Sequence, residues 1–315
     1  MNKLIDKKKI VMCGNHIGGK GIIEYLLKNG IQFDCFVILS REQSEKYSVS
    51  GFYDYSVLAK EYKIDIYYPK RFDLKDEKDI EFFKKKKFDL MLQGGWQRIF
   101  SKEILNTLKY GAIGMHGSSN FLPRGRGRSP FNWSLIEGKK RFIYQFFFLK
   151  PGKDDGDVFH FEQFDINEYD DIETLYFKGE IVSKKTLLEY IPKILNGNVK
   201  TKNQVGDSTH YNKRTPQDGL IRFKEMEIDV VFNLVRAVTH PYPGAFCYIK
   251  NEKIFIWRAQ IFDRNLKYPD AEYGEVVEIF KNRFVVNCLG GLLLVNDYEH
   301  TNDKIIKLGD IFELE

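Results

Sequence analysis

Apolar and polar positions fall in blocks along the first half of the chain, and the blocks predict strands and helices in turn. Ile10-Val11-Met12-Cys13 is a short apolar run that stops at Gly14, and Ile22-Ile23-Glu24-Tyr25-Leu26-Leu27 after it has helical spacing. The order returns: strands are expected over 33–39, 64–68, 88–93 and 111–115, with helices over 56–62, 76–86 and 102–108. Strands alternating with helices imply an α/β fold, a Rossmann-like parallel sheet with helices on both faces. Such sheets bind ligands at the carboxyl ends of their strands, so Gly94-Gly95-Trp96 after Gln93, and His116 after Met115, stand where chemistry is expected.

Further along, Ser129-Pro130 signals a helix start and Gly138 its stop. Strands are expected over 142–149 and 158–164, followed by a long helix over 171–195 that Pro192 interrupts near its end. After a stretch rich in Asn, Lys, Gly and Thr, the pattern changes to one helix over 228–237, the breaker Pro241-Tyr242-Pro243-Gly244, and short strands. These strands are expected over 245–249, 253–259, 274–280, 283–288 and 291–298, which suggests a small OB-like barrel. The predicted organisation is a first domain over 1–200, a linker over 201–214 and a C-terminal domain over 215–315.

Composition narrows the class. With 315 residues, 43% hydrophobic and 30% charged, the chain has material for two ordinary cores. The net charge is +5, and the basic run Lys84-Lys85-Lys86-Lys87 reads as a solvated helix end. Residues 201–315 carry 15 basic and 17 acidic side chains, a net of −2, so that part is not a basic nucleic-acid clamp. Cys13, Cys35, Cys247 and Cys288 lack paired spacing and read as reduced core residues. Met1 to Lys9 is polar with no apolar leader behind it, and no window reaches the roughly 18 apolar residues of a membrane span. A cytoplasmic protein without membrane partners is expected.

Two segments carry candidate chemistry. His116 faces the Gly-bracketed acidic cluster Asp154-Asp155-Gly156-Asp157 across a predicted helix and strand, and a histidine with a carboxylate on a tight turn can move a proton. The acidic cluster has neither calcium-loop nor zinc-helix spacing, so no metal is expected. The second segment, Gly14-Asn15-His16-Ile17-Gly18-Gly19-Lys20-Gly21, fits a phosphate loop until its last position, where Gly21 replaces the magnesium-binding Ser or Thr. It reads as a glycine-rich turn that brings backbone close to a neighbour or ligand.

The stretch from Gly111 to Asp157 resembles the formyltransferase signature through His116, Ser118, Leu122-Pro123, Arg126-Gly127, Pro130 and Asp154-Asp155-Gly156. Arg214-Thr215-Pro216-Gln217-Asp218-Gly219, Asn233-Leu234-Val235-Arg236 and Pro241-Tyr242-Pro243-Gly244-Ala245-Phe246 resemble the C-terminal domain shared by methionyl-tRNA formyltransferases and the formyltransferases of nucleotide-linked amino sugars. That resemblance implies N-formyl transfer from 10-formyltetrahydrofolate to an amine, with His116 acting on the attacking amine and Asp154 orienting it. The folate is expected near Gln93, Gly94, Gly95, Trp96, Lys150 and Asp155. Arg126 and Arg128 are expected to pair with a diphosphate, and Tyr211, Arg214 and Tyr242 to contact nucleotide.

The pattern is broken at Gly114, where the family carries an asparagine whose amide helps hold the oxyanion. Loss of one such donor costs about a hundred- to a thousandfold in rate. Protonated His116, Asn120 or a backbone amide would have to replace it. Ser40-Arg41-Glu42-Gln43-Ser44-Glu45-Lys46-Tyr47 lacks the basic insertion of the tRNA enzymes, and Gly127 to Trp133 looks more like the sugar enzymes. The expected acceptor is therefore a dTDP- or UDP-linked amino sugar bound by a homodimer, serving surface polysaccharide such as lipopolysaccharide. A methionyl-tRNA enzyme, a non-catalytic folate- or nucleotide-sugar-binding relative, and a phosphate-loop nucleotidase are the alternatives.

Overall fold

The first sheet owes its two faces to strict alternation along its strands. The computed structural model describes residues 8–302 and 305–313; of the segment Met1–Lys9 read above, residues 1–7 lie outside the described residues. Through the first half the chain forms β1 (Ile10–Gly14), α1 (Lys20–Lys28), β2 (Cys35–Val37), α2 (Arg41–Lys46), α3 (Ser56–Tyr62), β3 (Asp65–Tyr67), α4 (Glu77–Lys86), β4 (Leu90–Gly94), α5 (Lys102–Leu105) and β5 (Ala112–Ser118). There follow β6 (Arg126–Gly127), α6 (Pro130–Ile136), β7 (Arg141–Phe148), β8 (Val158–Asp165) and α7 (Ile172–Leu195). The sheet order is β3-β2-β1-β4-β5-β7-β8, parallel from β3 to β5 and antiparallel where β7 joins β5.

Ile10, Met12, Phe36, Leu90, Leu92 and Ile113 point to one face and pack with Ile22, Ile23 and Leu26 of α1 and Leu187 and Ile191 of α7. Their neighbours Val11, Cys13, Cys35, Val37, Met91 and Ala112 point to the other and pack with Phe83 of α4 and Ile104 of α5. Both faces are buried, as expected of a parallel sheet. The strand order reverses between β1 and β4, the place where such sheets bind ligands. There Gly14 has no room for a side chain, since a Cβ would lie 2.4 Å from the Gly94 carbonyl oxygen. Close backbone approach explains that glycine without invoking a phosphate.

The remaining elements are β9 (His210–Tyr211), α8 (Ile228–Val238), β10 (Ala245–Ile249), β11 (Glu252–Asp263), β12 (Val276–Phe280), β13 (Arg283–Cys288) and β14 (Gly291–His300). Of these, β10 to β14 build a five-stranded antiparallel sheet in the order β10-β11-β14-β13-β12, and α8 buries Ile228, Val231, Leu234 and Val235. The four cysteines are free and buried, and burial pushes the Cys35 thiol up to about 12. Among the described residues, no helix is long and apolar enough to cross a membrane.

The chain clusters into two compact units made of interleaved segments. One comprises the chain through Arg126 with Ile143–Gln163 and Phe177–Thr209; the other comprises Gly127–Phe142, Phe164–Tyr176 and the chain from His210 onward. Residues 201–209 of the expected linker thus cluster with the parallel sheet.

Candidate active site

His116 stands inside β5 rather than in a turn after it. The strand was expected to end at Met115, but antiparallel β7 continues the ladder through His116↔Gln145 and Ser118↔Ile143. The ring is 8% exposed, and its Nε2 lies 2.8 Å from the Gly125 carbonyl oxygen. A carbonyl can only accept, so Nε2 carries the hydrogen and Nδ1 is the basic nitrogen of the neutral ring. Asp154 presents Oδ2 to that Nδ1 at 3.7 Å, beyond direct hydrogen bonding. The structure therefore brings the signature histidine and aspartate together.

Asp154 has φ +51°, a left-handed conformation that aspartate tolerates better than most residues. Gln204 Nε2 holds its loop by donating to the Asp154 and Gly156 carbonyls, each at 2.8 Å. Lys150 Nζ is paired with Asp157 Oδ1 at 2.7 Å. Asp155 Oδ1 is buried without a hydrogen-bond partner among the described residues.

At the switch point a cavity of about 250 Å³ is lined by His16, Gln93, Gly94, Gly95, Met115 and Tyr144, among others. Burial lowers the pKa of His16, whose Nδ1 accepts from Gly18 N–H at 2.9 Å. Gln93 Nε2 donates to the Trp96 carbonyl at 2.9 Å. Trp96 itself is only 3% exposed, edge-on to Phe72 and stacked on Phe100, so its indole is packed in the core. Met115 and Tyr144 pack with the α1 and α7 side of the sheet, and alternation sends His116 and Gln145 to the other.

Gly114 shares the face of His116, and a Cβ there would sit 2.5 Å from Leu149 Cδ2 and 3.0 Å from the Phe147 ring. The place of the absent asparagine is thus filled by Leu149. Gly114→Asn alone is expected to cost about 1–3 kcal/mol through overpacking, and Gly114→Asn/Leu149→Ala to regain part of it. Thermal melts of the two variants check this; an unchanged melting temperature in Gly114→Asn contradicts it.

Asn120 is exposed, and its backbone is engaged by Ser118 Oγ, which accepts from its N–H at 3.1 Å and lies 3.0 Å from its carbonyl oxygen. A different amide, that of Gln145, lies directly across the ladder from His116. Its Oε1 accepts from Leu122 N–H at 3.2 Å, and its Nε2 is buried with no partner among the described residues. Because Leu122 N–H can only donate, this amide orientation is fixed by chemistry.

Of the candidate substrate residues, Arg126 directs Nε and Nη2 at Gln204 Oε1, at 3.2 and 2.5 Å. In the second unit, Tyr211 stacks on Trp133 with ring centroids 5.5 Å apart, and the Arg214 guanidinium lies 5.4 Å from the centre of the Trp133 ring. Burial and Glu137, which accepts from the Tyr211 hydroxyl at 3.0 Å, raise the pKa of that phenol. Arg214 also donates to the Asp218 carbonyl at 2.8 Å and, with Tyr242 and Ser129, lines a pocket of about 110 Å³. Tyr242 shares a hydroxyl hydrogen bond with Tyr176. Arg128 donates its backbone N–H to the Tyr211 carbonyl at 3.3 Å. Gln145, Gln204 and Trp133 are candidate site residues that the sequence did not single out, the first because its placement depends on β5–β7 register.

Comparison with known proteins fits this geometry. The family model described as formyl transferase matches residues 8–191, and that of the formyl transferase C-terminal domain matches 213–314. The chain is 30% identical over 306 residues to the bifunctional polymyxin resistance protein ArnA of Wigglesworthia glossinidia brevipalpis, covering 96% of this chain but 44% of that protein. It is also 30% identical over 233 residues to the methionyl-tRNA formyltransferase of Thermodesulfovibrio yellowstonii, covering 74% of this chain and 72% of that one. The fold is shared with the N-formyltransferase of Helicobacter canadensis solved with folinic acid and dTDP-3-aminofucose, at TM-score 0.64 and 16% identity over 93% of this chain and all of that one (100%). With the signature histidine and aspartate in contact range and models matching both halves, the chain belongs to the formyl transferase family.

Proposed function

We propose that this chain transfers the formyl group of 10-formyltetrahydrofolate to the amine of a dTDP- or UDP-linked amino sugar. The observation that carries the chemistry is the His116 ring, whose Nε2 is committed to Gly125 while its basic Nδ1 faces the Asp154 carboxylate at 3.7 Å. Nδ1 takes one proton from the attacking amine, and the imidazolium so formed faces a negative charge. When bound, the folate supplies the formyl carbon and leaves with the bond to that carbon broken and a proton on its nitrogen. The amine nitrogen keeps the new bond, so one proton is removed on one side and one delivered on the other.

Two features fit a folate. Gln93 and the bare backbone of Gly94 and Gly95 line a cavity at the switch point, suited to a flat heterocycle. On the His116 face of the sheet, opposite that cavity, Gln145 Nε2 is buried with no partner among the described residues; Asp155 Oδ1 is likewise buried and unpartnered among them, and an acceptor and a donor on a bound ligand would satisfy the two atoms. Gln145 then replaces the amide absent at Gly114. For the acceptor, stacked Trp133 and Tyr211 with Arg214 over the indole offer an aromatic and cationic surface for a base and diphosphate. Residues 1–200 are assigned the chemistry and 215–315 a supporting OB-like domain, in a cytoplasmic homodimer.

The similarity to a methionyl-tRNA formyltransferase favours a second acceptor, charged initiator tRNA. Tetrahydrofolate release with a panel of dTDP- and UDP-linked amino sugars and with methionyl-tRNA separates the two. Release with a sugar and none with tRNA is expected; the reverse outcome sinks the sugar assignment.

A further inference from the structure

The two family models leave residues 192–212 unmatched, and polar residues of that stretch are built into the His116–Asp154 site. Gln204 Nε2 donates to two carbonyls of the acidic loop, those of Asp154 and Gly156, both at 2.8 Å. Its Oε1 accepts from Arg126 Nε and Nη2 at 3.2 and 2.5 Å. Arg126 follows Gly125, whose carbonyl holds the His116 ring. Thr209 secures the same corner: its Oγ1 accepts from Gly125 N–H at 2.8 Å and its carbonyl from Arg126 N–H at 3.0 Å. Lys202 pairs its backbone with Val158 through bonds of 2.9 and 2.8 Å, which fixes the start of the segment against β8.

One glutamine therefore bonds to both strands of chain that face the histidine ring. An amide suits the position because it donates to two carbonyls while accepting from a guanidinium; a carboxylate would set its oxygens against those carbonyls. Asp154 needs such support, since a non-glycine residue at φ +51° persists only where its surroundings over-determine it.

We infer that Gln204 is a positioning residue for formyl transfer, holding the Gly125 carbonyl at Nε2 and the Asp154 carboxylate at Nδ1 of His116 through Arg126 and the acidic loop. This rests on the formyl-transfer reading of the site. Arg126 then serves the site through Gln204, and the segment between the two matched regions is part of the catalytic machinery.

Gln204→Met keeps the side-chain length and removes both polar ends; Gln204→Glu keeps the acceptor for Arg126 and removes the donors. In the full-length protein, kcat is expected to fall about ten- to a hundredfold in both variants, with KM for folate and acceptor little changed. Two readouts need no substrate. Nitrogen-15 spectra of His116 should move from a single Nε2–H tautomer toward a mixture, and amide exchange over 152–157 should quicken. A glutamine that only stabilised the fold would lower the melting temperature and leave the His116 spectrum and the kcat-to-KM pattern as they are. If Gln204→Met does not fold, Gln204→Glu carries the same test. An active wild type with both variants at full kcat, or with unchanged tautomer and loop exchange, overturns the positioning role alone. A wild type that formylates no acceptor sinks the functional assignment and the catalytic part of this inference with it, while the spectra and exchange still decide the clamp.

Discussion

Replacing His116 by glutamine is expected to lower kcat for formyl transfer by about a hundred- to ten-thousandfold, the range lost when a positioned acid–base group is removed. The site gives the reason. The ring is nearly buried, its Nε2 is spent on the Gly125 carbonyl, and its one basic nitrogen looks toward Asp154. Glutamine can still donate to Gly125 and fill the space, but it cannot take up a proton at neutral pH. The fold should therefore persist and folate binding with it. Steady-state rates together with a melting curve check this; full kcat in a folded His116→Gln protein means the proton goes elsewhere.

Asp154 is expected to give the second-largest loss, and its backbone makes the choice of substitution informative. Asparagine tolerates the left-handed conformation at φ +51° and preserves the shape of the loop, so Asp154→Asn removes only the charge that faces Nδ1. A fall in kcat of about a hundredfold or more is expected, without loss of stability. Alanine at the same place also carries a left-handed penalty of about 1–2 kcal/mol, so Asp154→Ala should melt lower than Asp154→Asn while turning over equally slowly. Comparable rates for wild type and Asp154→Asn contradict a role for the charge.

The parallel sheet was legible because its information is local. Period-two alternation in Ile10 to Cys13 and helical spacing from Ile22 to Leu27 specify which face each residue takes before any partner is known. The nearness of His116 and Asp154, 3.7 Å apart in the structure, was expected as well, through residue type and a signature. What the sequence did not disclose depends on pairing across long separations. The end of β5 is set by β7, which carries His116 into the strand and Gln145 opposite it. Trp96, after two glycines at a strand end, reads equally well as a ligand contact, and only packing against Phe72 and Phe100 places it in the core. Gln204 sits among exposed polar residues whose composition signals a connector, and its four bonds are invisible without the loop and Arg126 in place.

Gly114 is where the chain departs from the signature it resembles, and the structure fills the space beside it with an apolar side chain. Leu149 occupies the space above Gly114, and on the His116 face Gln145 carries an amide nitrogen with no partner among the described residues. A buried donor left unpaired costs about 1–3 kcal/mol, a cost that substrate binding would relieve.

The most direct measurement follows the formyl carbon itself. The full-length protein is mixed with 10-formyltetrahydrofolate labelled with carbon-13 at the formyl group and with dTDP- and UDP-linked amino sugars, and the products are read by mass spectrometry. Label on the amine of a nucleotide sugar with the wild type, and none above background with His116→Gln, is the expected result. Label that stays on the folate with every acceptor, or reaches the amine equally fast in the variant, contradicts a formyl-transfer site built on His116 and Asp154.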